Sequence, residues 1–306
     1  MAEPERRKNV ALANATSDPR QGRGGQPGPD NAVVDSGSST GLTKQVFDKF
    51  RMLIYETCGI TLSENKEALV AARIGKRMRT LGLMDYGQYF SVVTSDRTGN
   101  EMTELVNSIS TNVTHFFRES RHFDLLSGWL AGWAKQRRTV RIWSAASSTG
   151  EEPYSIAMTV VDALGSTAAV QLLASDISTK VIQIAKFGVY KPQDVQNIPF
   201  ETLKKHFQIG GETGAELYRV KSQLREMVAY QQINLSTPPY PIQGQLDVIF
   251  CRNVMIYFNR DLRRLMIRTF QDMLRPGGYL VVGMAESLSG IQHEMTTVEP
   301  SVYQKR

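Results

Sequence analysis

Beyond residue 138 the chain alternates short apolar runs with segments of helical period, and this alternation narrows the fold more than any other feature. The runs are Val140–Trp143, Val170–Leu173, Met227–Ile233, Leu246–Phe250 and Tyr279–Val282; helical segments fall near 151–164, 178–187 and 260–274. A strand that reaches its neighbour through a helix runs parallel to it, the crossover is right-handed, and helices cover both sheet faces. The expected fold class is therefore α/β with a mainly parallel sheet. Residues 191–226 break the pattern. Pro192, Pro199, Gly210, Gly211 and Gly214 precede Leu217–Val220, which predicts an inserted helix and a small antiparallel excursion suited to docking.

The preceding stretch reads differently. Val46, Phe47, Phe50, Leu53 and Ile54 recur at three- and four-residue steps and predict a helix stopped by Gly59. Thr61 and Glu64 have capping-box spacing, predicting a second helix striped by Val70, Ile74, Met78 and Leu81 and closed by Gly82. Tyr86, Tyr89, Phe90 and Val93 suggest a third helix; Leu105, Val106 and Ile109 suggest a fourth. The expected organisation is a helical domain over 41–108, a linker over 109–118 and an α/β domain over 119–306 carrying the insert at about 191–226. Residues 1–40 are rich in Gly, Ser, Pro, Asn and Asp without apolar period, and are expected to form a disordered tail.

Several classes drop out. The N-terminus is charged and lacks a signal-peptide core, and no apolar run reaches the roughly 18 residues of a membrane helix. Cys58 and Cys251 stand far apart, giving neither a disulfide framework nor zinc spacing, so a cytoplasmic location is expected. His115, His122, His206 and His293 are scattered without metal spacing and are expected at the surface or in structural roles, so no metal is expected. A net charge of +6 suits an acidic partner but does not argue for nucleic acid. Phosphate-loop and nucleophile-elbow motifs are absent.

Ligands of open parallel sheets sit beyond the carboxyl ends of the strands. The first strand runs into Ser144-Ala-Ala-Ser-Ser-Thr-Gly-Glu-Glu, and the second ends in Ala174-Ser175-Asp176. Asp176 is placed either to accept from both ribose hydroxyls of a nucleoside or to cap a helix. The turn has one glycine, Gly150, where dinucleotide sites need two or three, and Glu151 and Glu152 would repel a pyrophosphate. S-adenosylmethionine carries no phosphate but has an ammonium and a sulfonium, so an acid beside the turn suits it. Two carboxylates in a helix's first turn also follow from its dipole alone.

Three segments carry a closer resemblance: Asn112-Val-Thr-His-Phe-Phe-Arg118-Glu, Trp143-Ser-Ala-Ala-Ser-Ser-Thr-Gly-Glu-Glu-Pro-Tyr-Ser, and Asp247-Val-Ile-Phe-Cys-Arg-Asn-Val-Met-Ile-Tyr257-Phe. In order and spacing they resemble the bacterial chemotaxis receptor methyltransferases, the CheR family, over about residues 42–306. Leu274-Arg-Pro-Gly-Gly-Tyr-Leu resembles the wider class I methyltransferases. The resemblance implies a Rossmann-like class I domain with an inserted β-subdomain behind a helical domain. It implies S-adenosylmethionine as cofactor, S-adenosylhomocysteine as product, and methyl esterification of glutamates on chemotaxis receptors. Asn112, Thr114 and Arg118 would contact the cofactor, Glu152 and Asp176 would hold its amino and ribose ends, Asn234 and Leu235 would flank the adenine, and Arg252 and Asn253 would complete the pocket. Arg118 and Tyr257 would orient the acceptor carboxylate. Many relatives have a glycine and a cysteine where this chain reads Ala145-Ala146-Ser147-Ser148, though small residues remain.

A glutamate with pKa about 4.3 is already ionised at neutral pH, so this chemistry needs alignment rather than a general base. At about 100° per residue Lys66, Arg73, Lys76 and Arg77 share one arc of the second helix. A solvated face explains that arc by itself; the resemblance supplies an acidic receptor helical bundle as partner, and in some relatives the β-subdomain also holds the receptor's C-terminal peptide. A small-molecule methyltransferase and a non-enzymatic nucleoside-binding module remain rival readings, with a nicotinamide oxidoreductase behind them.

Overall fold

The computed structural model describes residues 41–136, 139–165, 170–210 and 216–306. The expected tail over 1–40, and Gly211 and Gly214 of the insert, lie outside the described residues.

Helix α1 spans Lys44–Cys58, capped by Thr43 and ended by left-handed Gly59 (φ 72°), whose N–H closes on Tyr55 O at 2.8 Å. Helix α2 spans Glu67–Thr80, after a 3-10 turn at Glu64–Lys66. The capping box expected at Thr61 and Glu64 does not form. Ile60 pairs as an antiparallel bridge with Phe258, and Thr61 N–H donates to Tyr257 O (2.8 Å), so extended backbone runs on and the turn begins after Ser63. Helices α3 (Tyr86–Ser95) and α4 (Asn100–Ile109) complete the unit around Phe47, Phe50, Ile74, Tyr89 and Leu105.

Helix α5 (Arg121–Ala134) had no counterpart in the sequence reading, because Gly128 and Gly132 dilute its stripe of Phe123, Leu126 and Leu130. Then come β1 (Val140–Ala145), α6 (Glu151–Leu164), β2 (Val170–Asp176) and α7 (Thr179–Phe187). The insert comprises β3 (Val189–Tyr190), α8 (Pro192–Val195), α9 (Phe200–His206), β4 (Phe207–Gly210), β5 (Leu217–Val220) and α10 (Ser222–Met227). The chain closes with β6 (Val228–Gln232), β7 (Leu246–Cys251), α11 (Arg260–Met273), β8 (Leu274–Val282), β9 (Thr296–Glu299) and β10 (Val302–Gln304).

The main sheet has the order β6-β2-β1-β7-β8-β10-β9. Its first five strands are parallel as the alternation requires; β10 and β9 add antiparallel pairings. Those last strands are too short to carry a periodic signal. Period-two alternation divides the core: Ile142, Val248 and Phe250 pack toward α5 and α6, while Trp143, Ile249 and Cys251 pack toward α11. The insert forms a separate antiparallel sheet, β3-β5-β4, so Leu217–Val220 is its central strand and β4 lies at an edge. Strand order turns back between β1 and β7, which sets the switch point where ligands gather. Among the described residues no helix is long and apolar enough to cross a membrane.

Candidate active site

A cleft of about 880 Å³ opens at the carboxyl ends of β1, β2, β6 and β7. Asn112, Thr114, Arg118, Glu152, Asp176, Asn234, Leu235, Arg252, Asn253 and Tyr257 all line it. The helical domain adds Cys58 and Ile60, which sequence reasoning left out. The Ile60–Phe258 bridge and the Asn234 Nδ2 to Thr57 O bond (2.7 Å) draw α1 against the α/β domain at this edge.

The turn after β1 is shaped by left-handed backbone at Ala146 (φ 66°), Ser148 (φ 48°) and Gly150 (φ 102°). Non-glycine residues in that region cost roughly 1–2 kcal/mol each, so the neighbours must hold them. They do. Ser147 N–H donates to Ser175 O (2.8 Å), Ser148 N–H to Asp176 Oδ2 (2.9 Å), and Ser148 Oγ to Asn112 O (3.1 Å). A side chain at Gly150 would strike Ala185 and the Tyr190 hydroxyl, each 2.8 Å from an added Cβ.

Asp176 is not the cap of α7: that is Ser178, whose Oγ accepts from Val181 N–H at 3.4 Å. Asp176 instead spans two loops, Oδ1 accepting from Ser178 N–H (2.9 Å) and Oδ2 from Ser148 N–H. Burial pushes its pKa up, against the pull of these backbone donors. Such a carboxylate still has lone pairs free to accept hydroxyls from the cleft.

The two acids of the turn divide their work. Glu151 folds back onto Thr149 Oγ1 (2.7 and 2.9 Å) in the first turn of α6, where the helix dipole favours it. Glu152 lines the cleft, accepting from Ser144 Oγ (2.7 Å) and Arg252 Nη1 (2.9 Å). Burial raises its pKa, opposed chiefly by Arg252. Arg252 also donates from Nη2 to Glu119 Oε2 (3.0 Å) and to Arg118 O, and lies over the Phe123 ring. Its two terminal nitrogens are thus spent on protein groups, which makes it a support of the pocket wall. Burial lifts the Glu119 carboxyl, but the Arg252 charge and the donors around it outweigh that and hold its pKa low. Glu119 stands behind the wall, and the acids that line the cleft itself are Glu152 and Asp176.

Glu119 and Glu286 escaped sequence reasoning. Glu119 directly follows Arg118, at the first position of the α/β domain. Glu286, only 2% exposed, accepts backbone N–H groups from Asn253 (2.5 Å), Gly283 (2.8 Å) and Ile256 (3.3 Å), binding the loop after β7 to the loop after β8. A local signal for it was missing, because two of its three backbone donors, Asn253 and Ile256, lie about thirty residues away.

Arg118 Nη1 donates to Val113 O (3.0 Å), bending the linker around the guanidinium. The Tyr257 carbonyl is engaged by Thr61, while among the described residues its hydroxyl has no hydrogen-bond partner. The Asn234 amide is committed to Thr57 O and, through Oδ1, to Ser236 (3.0 and 2.8 Å), leaving its backbone and Leu235 to form the wall.

Of the arc expected on the second helix, Arg73, Lys76 and Arg77 lie on α2, whereas Lys66 ends the 3-10 turn before it. Lys66 and Lys76 are exposed. Arg77 is paired with Glu101 of α4, and Arg73 donates to Ile109 O and to Thr111 Oγ1 (3.1 Å), next to the cleft. Arg77 ties α2 to α4 and Arg73 ties it to the linker, while the two lysine side chains are exposed.

Comparison with known proteins matches residues 45–110 to the family description "CheR methyltransferase, all-alpha domain" and residues 112–304 to "CheR methyltransferase, SAM binding domain". A chemotaxis protein methyltransferase of Escherichia coli (strain K12) is 39% identical over 264 residues, covering 86% of this chain and 91% of that one. Chemotaxis protein methyltransferase 2 of Pseudomonas aeruginosa is 40% identical over 262 residues, covering 85% and 93%. Among solved structures, TrmN from Thermus thermophilus aligns over 60% of this chain and 48% of that one, with 15% identity and a TM-score of 0.35.

Proposed function

Because the chain belongs to the CheR methyltransferase family, with a SAM-binding methyltransferase domain behind an all-helical one, we propose that it esterifies glutamate side chains on the cytoplasmic domain of chemotaxis receptors. The observation that carries this reading is one cleft whose inner wall carries two acids, Glu152 and Asp176, with a cationic and hydroxyl pair, Arg118 and Tyr257, in the same lining. The wall suits a cationic cofactor without phosphate; the pair suits an incoming carboxylate.

S-adenosylmethionine supplies a methyl group on a positively charged sulfur. Glu152 is assigned to its amino end, Asp176 to its ribose hydroxyls, and Asn234 and Leu235 to its adenine, with Asn112, Thr114 and Arg118 along the linker side. Arg252 and Asn253 hold these walls in place. Arg118 and Tyr257 orient the acceptor carboxylate, which is its own nucleophile. Arg118 must steer that carboxylate without binding it so tightly that the ground state gains as much as the transition state. Alignment of this kind supplies on the order of 7 kcal/mol or more in well-oriented systems. The reaction belongs in the cytoplasm, where the buried thiols of Cys58 and Cys251 stay reduced.

The exposed Lys76 of α2 and Lys66 of the turn before it complement an acidic helical bundle, and β4, with Ile209 46% exposed, offers an edge for an extended receptor C-terminal peptide. Transfer of tritiated methyl from the cofactor to purified receptor cytoplasmic domains, released by base as methanol, tests the central claim. Label that is absent, or not labile to base, overturns it. Receptor peptides that fail to bind, or that still bind after β4 is deleted from a folded protein, overturn the tether.

A further inference from the structure

Tyr190 belongs to the insert, yet its side chain touches both segments that lead into the cofactor cleft. It closes β3, is 4% exposed, and pairs with Tyr218 of β5. Its hydroxyl donates to Thr149 O at 2.8 Å, in the turn between β1 and α6. The hydroxyl oxygen also lies 2.8 Å from where a Cβ on Gly150 would stand, so the absence of a side chain there lets it come this close. Burial, with the Glu151 charge nearby, pushes the phenol's pKa well up, so it stays a donor.

The ring meets the other segment. Phe116 is 3% exposed and stands edge-on to Tyr190, with centroids 4.8 Å apart at 77°, and to Phe207 of β4, at 5.5 Å and 78°. It sits in the linker between Thr114 and Arg118, which both line the cleft. Just beyond it the backbone is left-handed at Phe117 (φ 53°) and Glu119 (φ 56°), a conformation that a non-glycine residue keeps only where its surroundings impose it. Phe117 N–H is tied to Ser155 Oγ of α6 at 2.9 Å.

We propose that Tyr190 is a positioning residue of the cofactor site, its hydroxyl holding the turn that leads from Ser148 to Glu152 and its ring holding the linker that carries Thr114 and Arg118. This rests on reading the cleft as the S-adenosylmethionine site. Turn and linker also meet directly, Ser148 Oγ donating to Asn112 O at 3.1 Å. Tyr190 adds a second tie, at Thr149 one residue along the turn and at Phe116 four along the linker, and so removes the pivot that a single bond leaves. Groups that bind a ligand must be held by their supports to within about 0.5 Å. The insert then does more than offer β4 to a peptide, because its first strand is part of the frame of the cofactor site.

Calorimetry of adenosylhomocysteine binding to the full chain tests this without any receptor. Tyr190→Phe keeps the ring and removes the hydroxyl, and should weaken binding by roughly five- to tenfold, the scale of one neutral hydrogen bond. Phe116→Leu keeps the hydroxyl bond and should weaken binding by about threefold or more, the scale of one aromatic pair. Tyr154→Phe is the control. Tyr154 is at least as buried, and its hydroxyl also ends on a backbone carbonyl, Ala185 O at 2.6 Å, in a helix residue that does not line the cleft. That variant should lose comparable thermal stability and keep adenosylhomocysteine affinity within about twofold. With receptor fragment and labelled cofactor, the Tyr190→Phe loss should fall on the KM for S-adenosylmethionine rather than on kcat. If Tyr190→Phe binds within about twofold of wild type, the hydroxyl positions nothing and the proposal is wrong. Equal weakening by Tyr154→Phe also overturns it, because general loosening of the core then explains the loss. Should Tyr190→Phe not fold, Phe116→Leu decides, and wild-type affinity there overturns the proposal. A wild-type chain that binds no adenosylhomocysteine overturns the cofactor reading itself, and this role falls with it.

Discussion

Through Nη2, Arg252 grips the Glu119 carboxylate at 3.0 Å and also the carbonyl of Arg118, so one buried guanidinium holds the proposed substrate-orienting residue by its carbonyl and by the side chain that follows it. Through Nη1 it reaches Glu152 at 2.9 Å. A buried charge that loses its partner is far more costly than a pair replaced whole. Arg252→Met should therefore destabilise the protein by about 3–5 kcal/mol in urea unfolding. Glu119→Gln keeps shape and one acceptor, and should cost only about 1–2 kcal/mol while lowering kcat with little change in cofactor affinity. Equal stability losses in the two variants would show that the cluster is not held by charge.

Tyr257→Phe should lower kcat by roughly ten- to a hundredfold, the equivalent of a hydrogen bond to a charged group worth about 1.5–3 kcal/mol. Its hydroxyl has no internal partner among the described residues, so the fold loses nothing. Adenosylhomocysteine affinity should stay close to wild type. A proportionate loss of cofactor binding would move the hydroxyl to the cofactor side.

Much of this architecture was legible because periodicity reports burial. The alternation after Val140 gave the parallel sheet, and the motif residues from Asn112 to Tyr257 meet in one cleft. Other features depend on partners far apart in the chain, which no local pattern encodes. Thr61 has capping-box spacing with Glu64, yet pairing of Ile60 with Phe258 overrides it. Asp176 fits a helix cap in sequence, yet Ser178 takes that role and Asp176 binds Ser148 instead. Arg73 and Arg77 fall on a helical arc with the lysines, but side-chain length lets them reach Ile109 and Glu101.

His122 sets a pH dependence. It is 1% exposed, with Nε2 3.0 Å from Ser301 Oγ and Nδ1 3.5 Å from Glu119. Burial, with Arg252 nearby, depresses its pKa to about 4 against an ordinary 6.5, despite the opposing Glu119 charge. The unfolded chain therefore binds the proton first, and stability falls as pH drops from about 6.5 toward 4. At pH 5 the loss from this group is about 2 kcal/mol. His122→Asn should flatten the change in unfolding free energy between pH 7.5 and 5 by about that amount. A variant with the wild-type slope would place the transition on other groups.

The α2 face gives the sharpest separation of stability from recognition. Arg77 pairs with Glu101 where both side chains are largely covered, at 25% and 12% exposure, and Arg73 secures the linker through Ile109 O and Thr111. Reversing Arg77 sets two carboxylates against each other, so Arg77→Glu should destabilise the helical domain whatever the acceptor. Lys66 and Lys76 are exposed and free of such ties. Lys66→Glu with Lys76→Glu should leave the unfolding midpoint within a degree or two, since exposed charges contribute little to stability. The same double variant should lower receptor methylation severalfold at low salt, and the gap from wild type should close as salt rises, because screening weakens the attraction that wild type alone retains. Binding of adenosylhomocysteine should not change. If the double lysine variant methylates receptor at the wild-type rate in low salt, the partner is recognised without this face, and the lysines only keep it solvated.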